Sequence, residues 1–247
     1  MSGMTHAFFL PRLRAEIAAL PPEQRVAAVA VDGKRYWVKR RERYDSLKLR
    51  LQKGDAARAF ERERGALHDL GRLGLPVPPV VDETEDYFVT PDRGVPLAKI
   101  LRDRLLTEEE RMAAFRSAAC ALHAFHAAGL AHGRPNLRDM LWDGDRVTLI
   151  DFERYAPRRN RRINMALDLL MFVFSAYVAA ESERPEIDAA IAAYRNADST
   201  RLWPLAARIA RRLGWLTRLT APLRRRKPRS RELAALPLTL HRFSAET

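Results

Sequence analysis

Residues 131–154 read AHGRPNLRDMLWDGDRVTLIDFER, and the fold turns on how this stretch is parsed. Asp143-Gly144-Asp145 separates two short apolar runs, MLW and VTLI, so the middle reads as a tight hairpin. The residues ahead of it, 132–138, carry His132-Gly133 and Pro135-Asn136 and read as a loop. Behind it, Asp151 follows Leu149 and Ile150, which would pin its carboxylate at the end of a buried strand, where a free aspartate is rarely structural. Arg134 sits in the loop, and a guanidinium stays protonated at any working pH, so it cannot be a general base.

Working outward, the N-terminal side gives a short amphipathic helix at FFLPRLRAEIAAL, ended by Pro21-Pro22. A hairpin follows, with RVAAVAVDGKRYWVKRR folding around Asp32-Gly33. Residues 55–73 place Phe60, Leu67, Leu70 and Leu73 at helical spacing, with Asp55 as N-cap and Gly74 where a helix stop belongs. LPVPPVVD is extended by its prolines, and DYFVT is a strand. PDRGVP, rich in breakers, divides a small front lobe (1–92) from a helical rear lobe (93–247). PLAKILRDRL is a short helix, and Thr107 with Glu110 predicts a capping box opening a long helix to about Ala128. From Ile163 onward the pattern is helical, broken by Pro185, Pro204, Pro222 and Pro228.

Apolar residues make up 47% of the 247, enough for a folded globular protein with a sizeable core. The single cysteine, Cys120, excludes an intrachain disulfide framework and reads as a buried structural thiol in an alanine-rich helix. The start lacks the layout of a signal peptide, and the best candidate span, MALDLLMFVFSAYVAA, is interrupted by Asp168. A soluble, cytoplasmic protein is the expectation. Net charge is +13, and residues 201–247 hold 12 Lys/Arg against 2 Glu, contributing +10 of it. Such asymmetry points to an anionic partner, or else to a solvated basic face.

The order of these elements is strand hairpin with a lysine, helix with a glutamate, extended segment, long helix, His-Gly loop, hairpin, Asp-Phe. Over residues 25–180 it resembles the protein-kinase-like fold, an α+β architecture with a small β-rich lobe and a helical lobe. More narrowly, GLPVP after the glutamate helix and LHAFHAAGLAHG before the loop resemble the bacterial lipopolysaccharide kinases, the Kdo and heptose kinase group. The resemblance implies ATP and Mg²⁺ as cofactors. It assigns Lys39, in RYWVKRR, to the nucleotide phosphates, and strand alternation puts it on one face with Trp37. Its acidic partner would be Glu63, 13 positions before Pro76; Glu61 lies about 200° around the helix and cannot point the same way. Asp151 matches the aspartate of the D-F-G motif, a Mg²⁺ ligand. Glu153 stands where that motif has glycine.

The loop departs from the family pattern H-G-D-L-x-x-x-N. Arg134 occupies the aspartate position and Asp139 the asparagine position, where it can still bind a metal. Two accounts of Arg134 are open. It orients an anionic acceptor or stabilises the transferred phosphoryl group, which suits a loose transition state. Alternatively it pairs with Asp139 or Asp151, occupies the metal site and leaves a pseudokinase. No G-x-G-x-x-G precedes Lys39, so the phosphate lid is a plain hairpin or comes from the N-terminal segment. His132 would brace the loop and Asp168 would anchor its backbone. A zinc site at His123, His126 and His132 lacks a completing Cys or carboxylate.

The implied function is ATP-dependent phosphoryl transfer to a sugar hydroxyl of lipopolysaccharide core or another lipid-linked saccharide, with Arg134, Asp139 and Asp151 catalytic. The alternatives are a pseudokinase serving as a binding or regulatory module, and an enzyme moving another part of the nucleotide. The acceptor would be an anionic saccharide or glycolipid. Residues 201–231, mixing apolar and arginine positions with Trp203 and Trp215, suit contact with the inner-membrane surface. They equally suit helices that complete the rear lobe. Nucleic acid ranks last, since no recognised binding module accompanies the charge.

Overall fold

The computed structural model describes residues 2–41 and 47–245, with side chains at 8–41 and 57–245. The chain separates into two compact units, Met1–Arg93 and Gly94–Thr247, each described by itself.

The first unit runs α1 (Ser2–Ala19), β1 (Val26–Val31), β2 (Lys34–Arg40), α2 (Leu47–Arg72), β3 (Asp82–Glu83) and β4 (Tyr87–Pro91). Its strands form one antiparallel sheet in the order β1-β2-β4-β3. The β1–β2 turn takes positive φ at both Asp32 (51°) and Gly33 (74°), the mirror-image turn whose twist matches paired strands. Alternation in β1 and β2 sends Val29, Val31, Tyr36 and Val38 to one face, where they pack with Leu13 and Ile17 of α1. That leaves Lys39 on the opposite face, beside its strand partner Phe88, which meets Phe60 of α2 at 5.3 Å. α1 is longer than the periodicity indicates and carries Pro11 within it. α2 begins at Leu47, so Asp55 lies inside the helix and does not cap it. Its end is as the glycine predicts. Gly74 adopts φ 70°, Leu75 N–H reaches Leu70 O at 3.1 Å, and Gly74 N–H reaches Gly71 O at 3.0 Å, a double closure of the last carbonyls.

The second unit continues with β5 (Val95–Pro96), α3 (Leu97–Ile100), α4 (Glu108–Ala127), β6 (Met140–Trp142) and β7 (Val147–Leu149). Two 3₁₀ turns, Phe152–Arg154 and Pro157–Arg159, follow. Then come α5 (Arg162–Ala180), α6 (Pro185–Ala197), α7 (Leu202–Leu213), α8 (Trp215–Leu219), α9 (Ala221–Arg226) and α10 (Arg231–Ser244). Strands β5-β6-β7 form a small antiparallel sheet. The expected capping box is present: Thr107 accepts from Glu110 N–H at 3.2 Å, and Glu110 accepts from Thr107 N–H at 2.7 Å.

α4 packs on α6, and α5 packs on α7 and α10. Phe115, Phe125, Phe152, Phe172, Tyr177, Tyr194 and Phe243 are the largest side chains sealed in this core. Cys120 is exposed, against expectation. The buried face of α4 takes in Ala114, Phe115, Ala118, Ala119, Ala121, Leu122, Phe125 and His126, and position 120 falls outside it. α5 covers the segment that the sequence reading weighed as a span. Its 19 residues are long and apolar enough to cross a membrane by composition, with 56% of the apolar window buried inside the unit. A core helix meets the same criterion, because burial on several sides calls for the same side chains.

Candidate functional site

In the first unit the Lys39 ammonium makes an ion pair with the Glu63 carboxylate, and their side chains are 17% and 8% exposed. The pair forms because β2 alternation turns Lys39 toward α2, while helical spacing puts Glu63 on the sheet-facing side with Phe60 and Leu67. Glu61 points elsewhere and bonds Arg64 at 2.6 Å. A lysine held this way is a fixed positive charge. On its strand face, Val26, Ala28 and Ala30 of β1 and Trp37 of β2 are exposed, a shelf of small side chains ending in one aromatic. Within this unit α1 packs on the opposite face of the sheet from Lys39.

In the second unit the loop ahead of β6 hangs from one buried carboxylate. Asp168 of α5 accepts from His132 N–H at 2.6 Å and from Gly133 N–H at 3.0 Å, and is 2% exposed. These two bonds fix the entry to the loop, as the resemblance implied for this aspartate. Gly133 has φ 100°, a backbone conformation that favours glycine, and a Cβ there would also crowd the Arg154 carbonyl oxygen at 3.1 Å. Further along, Leu137 N–H donates to Ser175 Oγ at 3.2 Å, and Ala131 N–H donates to Asn160 Oδ1 at 3.0 Å.

His132 is buried and donates from Nε2 to the Ile150 carbonyl at 3.1 Å, which ties the loop to the end of β7. Burial drives its pKa below the ordinary histidine value, more strongly than Asp168 and the Ile150 carbonyl raise it, so the ring is neutral. Phe152 is fully buried between Phe125, stacked at 5.8 Å, and His132 at 4.7 Å. With Leu149 and Phe152 both drawn into the core, the chain between them must turn sharply. Asp151 absorbs the turn in the left-handed region, φ 66° and ψ 62°. Aspartate tolerates this better than most residues, yet the conformation still costs about 1 kcal/mol. Asp139 lies beside it across the hairpin, its carbonyl accepting from Ile150 N–H at 2.9 Å.

Arg134 makes the ion pair to Asp151 that one of its two accounts describes. Its guanidinium donates to Asp151 Oδ2 at 3.1 Å, with the side chains 44% and 27% exposed. A pair this open to water contributes about 0–1 kcal/mol, so it is a contact that a ligand can displace.

A polar chain behind the loop has no signal in the sequence. His126 Nδ1 meets Tyr194 Oη at 2.6 Å, and its Nε2 stands 3.8 Å from Asp168 Oδ2, all three side chains buried. His126 is thus held by Tyr194, with its Nε2 facing the carboxylate that holds the loop. The His123–His126 spacing marks the helix face; that Tyr194 completes it depends on α6 packing against α4.

Residues 94–194 match the model of the Lipopolysaccharide kinase (Kdo/WaaP) family. The matched segment contains the loop, the hairpin, Asp151 and Asp168. The resemblance to the lipopolysaccharide kinase group holds. An uncharacterised protein of Haemophilus influenzae is 27% identical over 202 residues, covering 82% of this chain and 83% of its own. Among solved structures, a MAP kinase from Leishmania major is 18% identical with a TM-score of 0.43. That match covers 73% of this chain and 62% of the kinase, so the chain spans less than two thirds of that relative. The fold is α+β, a small sheet-based unit followed by a helical one, the element order expected of a protein-kinase-like chain, and residues 94–194 are similar to the lipopolysaccharide kinase family.

Proposed function

We propose that this chain is an ATP- and Mg²⁺-dependent phosphotransferase acting on a hydroxyl of an anionic saccharide, of lipopolysaccharide core or another lipid-linked kind. The observation that carries it is the shielded Lys39–Glu63 pair beside an open shelf of small strand residues, which suits nucleotide phosphates and a flat base. Oxygen donors are what Mg²⁺ takes, and Asp139 and Asp151 supply carboxylates at the two sides of one hairpin. Magnesium there would neutralise charge on the phosphates; the chain's own part is to hold the carboxylates rigid through Asp168, His132 and Phe152.

With no aspartate at position 134, Asp139 is left to accept the acceptor's proton. Arg134, released from Asp151, would bind the acceptor's anionic group or the transferring phosphoryl oxygens. The reading carries a cytoplasmic location, peripheral to the inner membrane.

The test is calorimetric titration of Mg²⁺ and ATP, followed by transfer of labelled γ-phosphate to cell-envelope saccharides, with Asp151→Asn as the control. Absence of nucleotide binding at millimolar concentration removes the proposal. One observation favours a second reading: Arg134 occupies Asp151, as expected of a pseudokinase that serves as a binding module. Nucleotide binding without turnover, unchanged in Asp151→Asn, would support it.

A further inference from the structure

The basic C-terminal region resolves into two kinds of helix. α7 is core: Leu202, Trp203, Ala206, Ala207 and Ala210 are buried, and Trp203 stacks on Phe243 of α10 at 4.4 Å. α10 is core as well, through Ala235, Thr239, Leu240 and Phe243. For α7, the reading of this segment as helices that complete the rear lobe is therefore the one that holds. The intervening pair is different, because neither α8 nor α9 has a buried residue. Helical backbone continues between them, with Thr220 N–H bonded to Leu216 O at 2.9 Å and Arg224 N–H to Thr220 O at 3.0 Å. Trp215, Leu219 and Leu223, spaced by fours, consequently share one stripe, and they are 58%, 61% and 47% exposed.

The charge around this stripe is of one sign. Residues 211–230 contain eight Lys/Arg and no Asp or Glu. Among the described residues, Arg212, Arg218, Arg225, Arg226, Lys227 and Arg229 have no ion-pair partner. Elsewhere in the unit several arginines do have acidic partners, as in Arg111–Glu186, Arg231–Glu181 and Arg242–Asp188.

We infer that α8–α9 is a membrane-docking ridge, which lays Trp215, Leu219 and Leu223 into the interface of a bilayer rich in anionic headgroups. An indole at the interfacial level, two leucines below it and arginines at its flanks match what such a surface offers: hydrocarbon edge, then phosphate. A nucleic acid would match the arginines and leave the leucines in water. A second copy of this chain would bring the same +13 charge against itself. The ridge is independent of phosphoryl transfer, so its test needs no turnover.

The experiment is co-sedimentation of the full chain with phosphatidylglycerol–phosphatidylethanolamine vesicles, against phosphatidylcholine vesicles. Binding is expected to the first and not the second, weakening as salt rises. The Arg225→Gln/Arg226→Gln variant should bind about 25-fold more weakly, at roughly fivefold per charge. Trp215→Ser/Leu219→Ser/Leu223→Ser should abolish vesicle binding while keeping the wild-type thermal transition, since none of the three is buried. Equal binding to both vesicle types, or undiminished binding by the triple variant, overturns the ridge. So does retention on duplex RNA that the serine variant leaves intact, or a wild-type dimer in sedimentation that the serine variant dissolves.

Discussion

Replacing Arg134 with glutamine separates the two roles open to that side chain. The ion pair to Asp151 spans 3.1 Å with both partners partly in water, 44% and 27% exposed. An exposed pair of this kind contributes about 0–1 kcal/mol. Any ligand that needs Asp151 free must first break it, so the pair can weaken Mg²⁺–nucleotide binding by at most a factor of about 5. Arg134→Gln should therefore tighten that binding by up to about fivefold, and the gain should shrink at high salt. Stability should stay within about 0.5 kcal/mol of wild type, because the residue lies on the surface. Turnover should move the other way. If Arg134 steadies the transferring group or the acceptor, its loss costs on the order of 10²–10³ in kcat. Calorimetric titration gives the first number and labelled-phosphate transfer the second. A loss of nucleotide affinity of tenfold or more would refute the reasoning, since Arg134 would then be contacting nucleotide rather than covering Asp151.

Asp168→Asn keeps the shape but gives up charge-assisted bonds to His132 and Gly133 N–H, and should cost about 1.5–3 kcal/mol in urea unfolding. Phe152→Ala opens a hole between Phe125 and His132 and should cost about 3–5 kcal/mol by the same measurement. Lys39→Met should remove nucleotide binding and leave Glu63 buried without its cation, whereas a Lys39→Met/Glu63→Leu double variant should recover stability without recovering binding. In the first unit, the Arg14 guanidinium forks onto Asp82 at 2.8 and 3.0 Å and holds its carboxyl below the ordinary 3.8, outweighing burial. A depressed acid stabilises the fold above its unfolded pKa and loses that contribution as pH falls through the folded value. The acid-unfolding midpoint should thus move to higher pH in Arg14→Gln, by circular dichroism below pH 3.8.

Features written locally were legible in the sequence. Thr107 and Glu110 announced their capping box, Asp32-Gly33 its turn, and Gly74 its helix stop, because each is a bond between residues a few positions apart. Alternation in β2 likewise placed Lys39 opposite Tyr36 and Val38. The start of α2 was misread, since Asp55 is a good cap by type and the helix nonetheless extends back to Leu47. Cys120 was misplaced for a related reason. Its alanine neighbours satisfy either face of a helix, and only packing against α6 decides which is buried. His126 with Tyr194, and the pair of Arg134 with Asp151, join residues far apart in the chain. Periodicity has nothing to say about such meetings.

The contrast between Asp168 and Arg134 bears on how activity in such a chain is kept or lost. Asp168, His132 and Phe152 are sealed in the core, so a change at any of them is felt first as instability. Position 134 projects into solvent beyond that scaffold, and the fold is nearly indifferent to what stands there. Even Asp151 can become asparagine without added backbone strain, because asparagine accepts the same left-handed turn. Selection for a folded protein alone would therefore preserve the frame of the loop while leaving its chemistry free to drift. A well-formed kinase loop is evidence of ancestry and stability, and the residue at its exposed tip is where catalysis has to be measured.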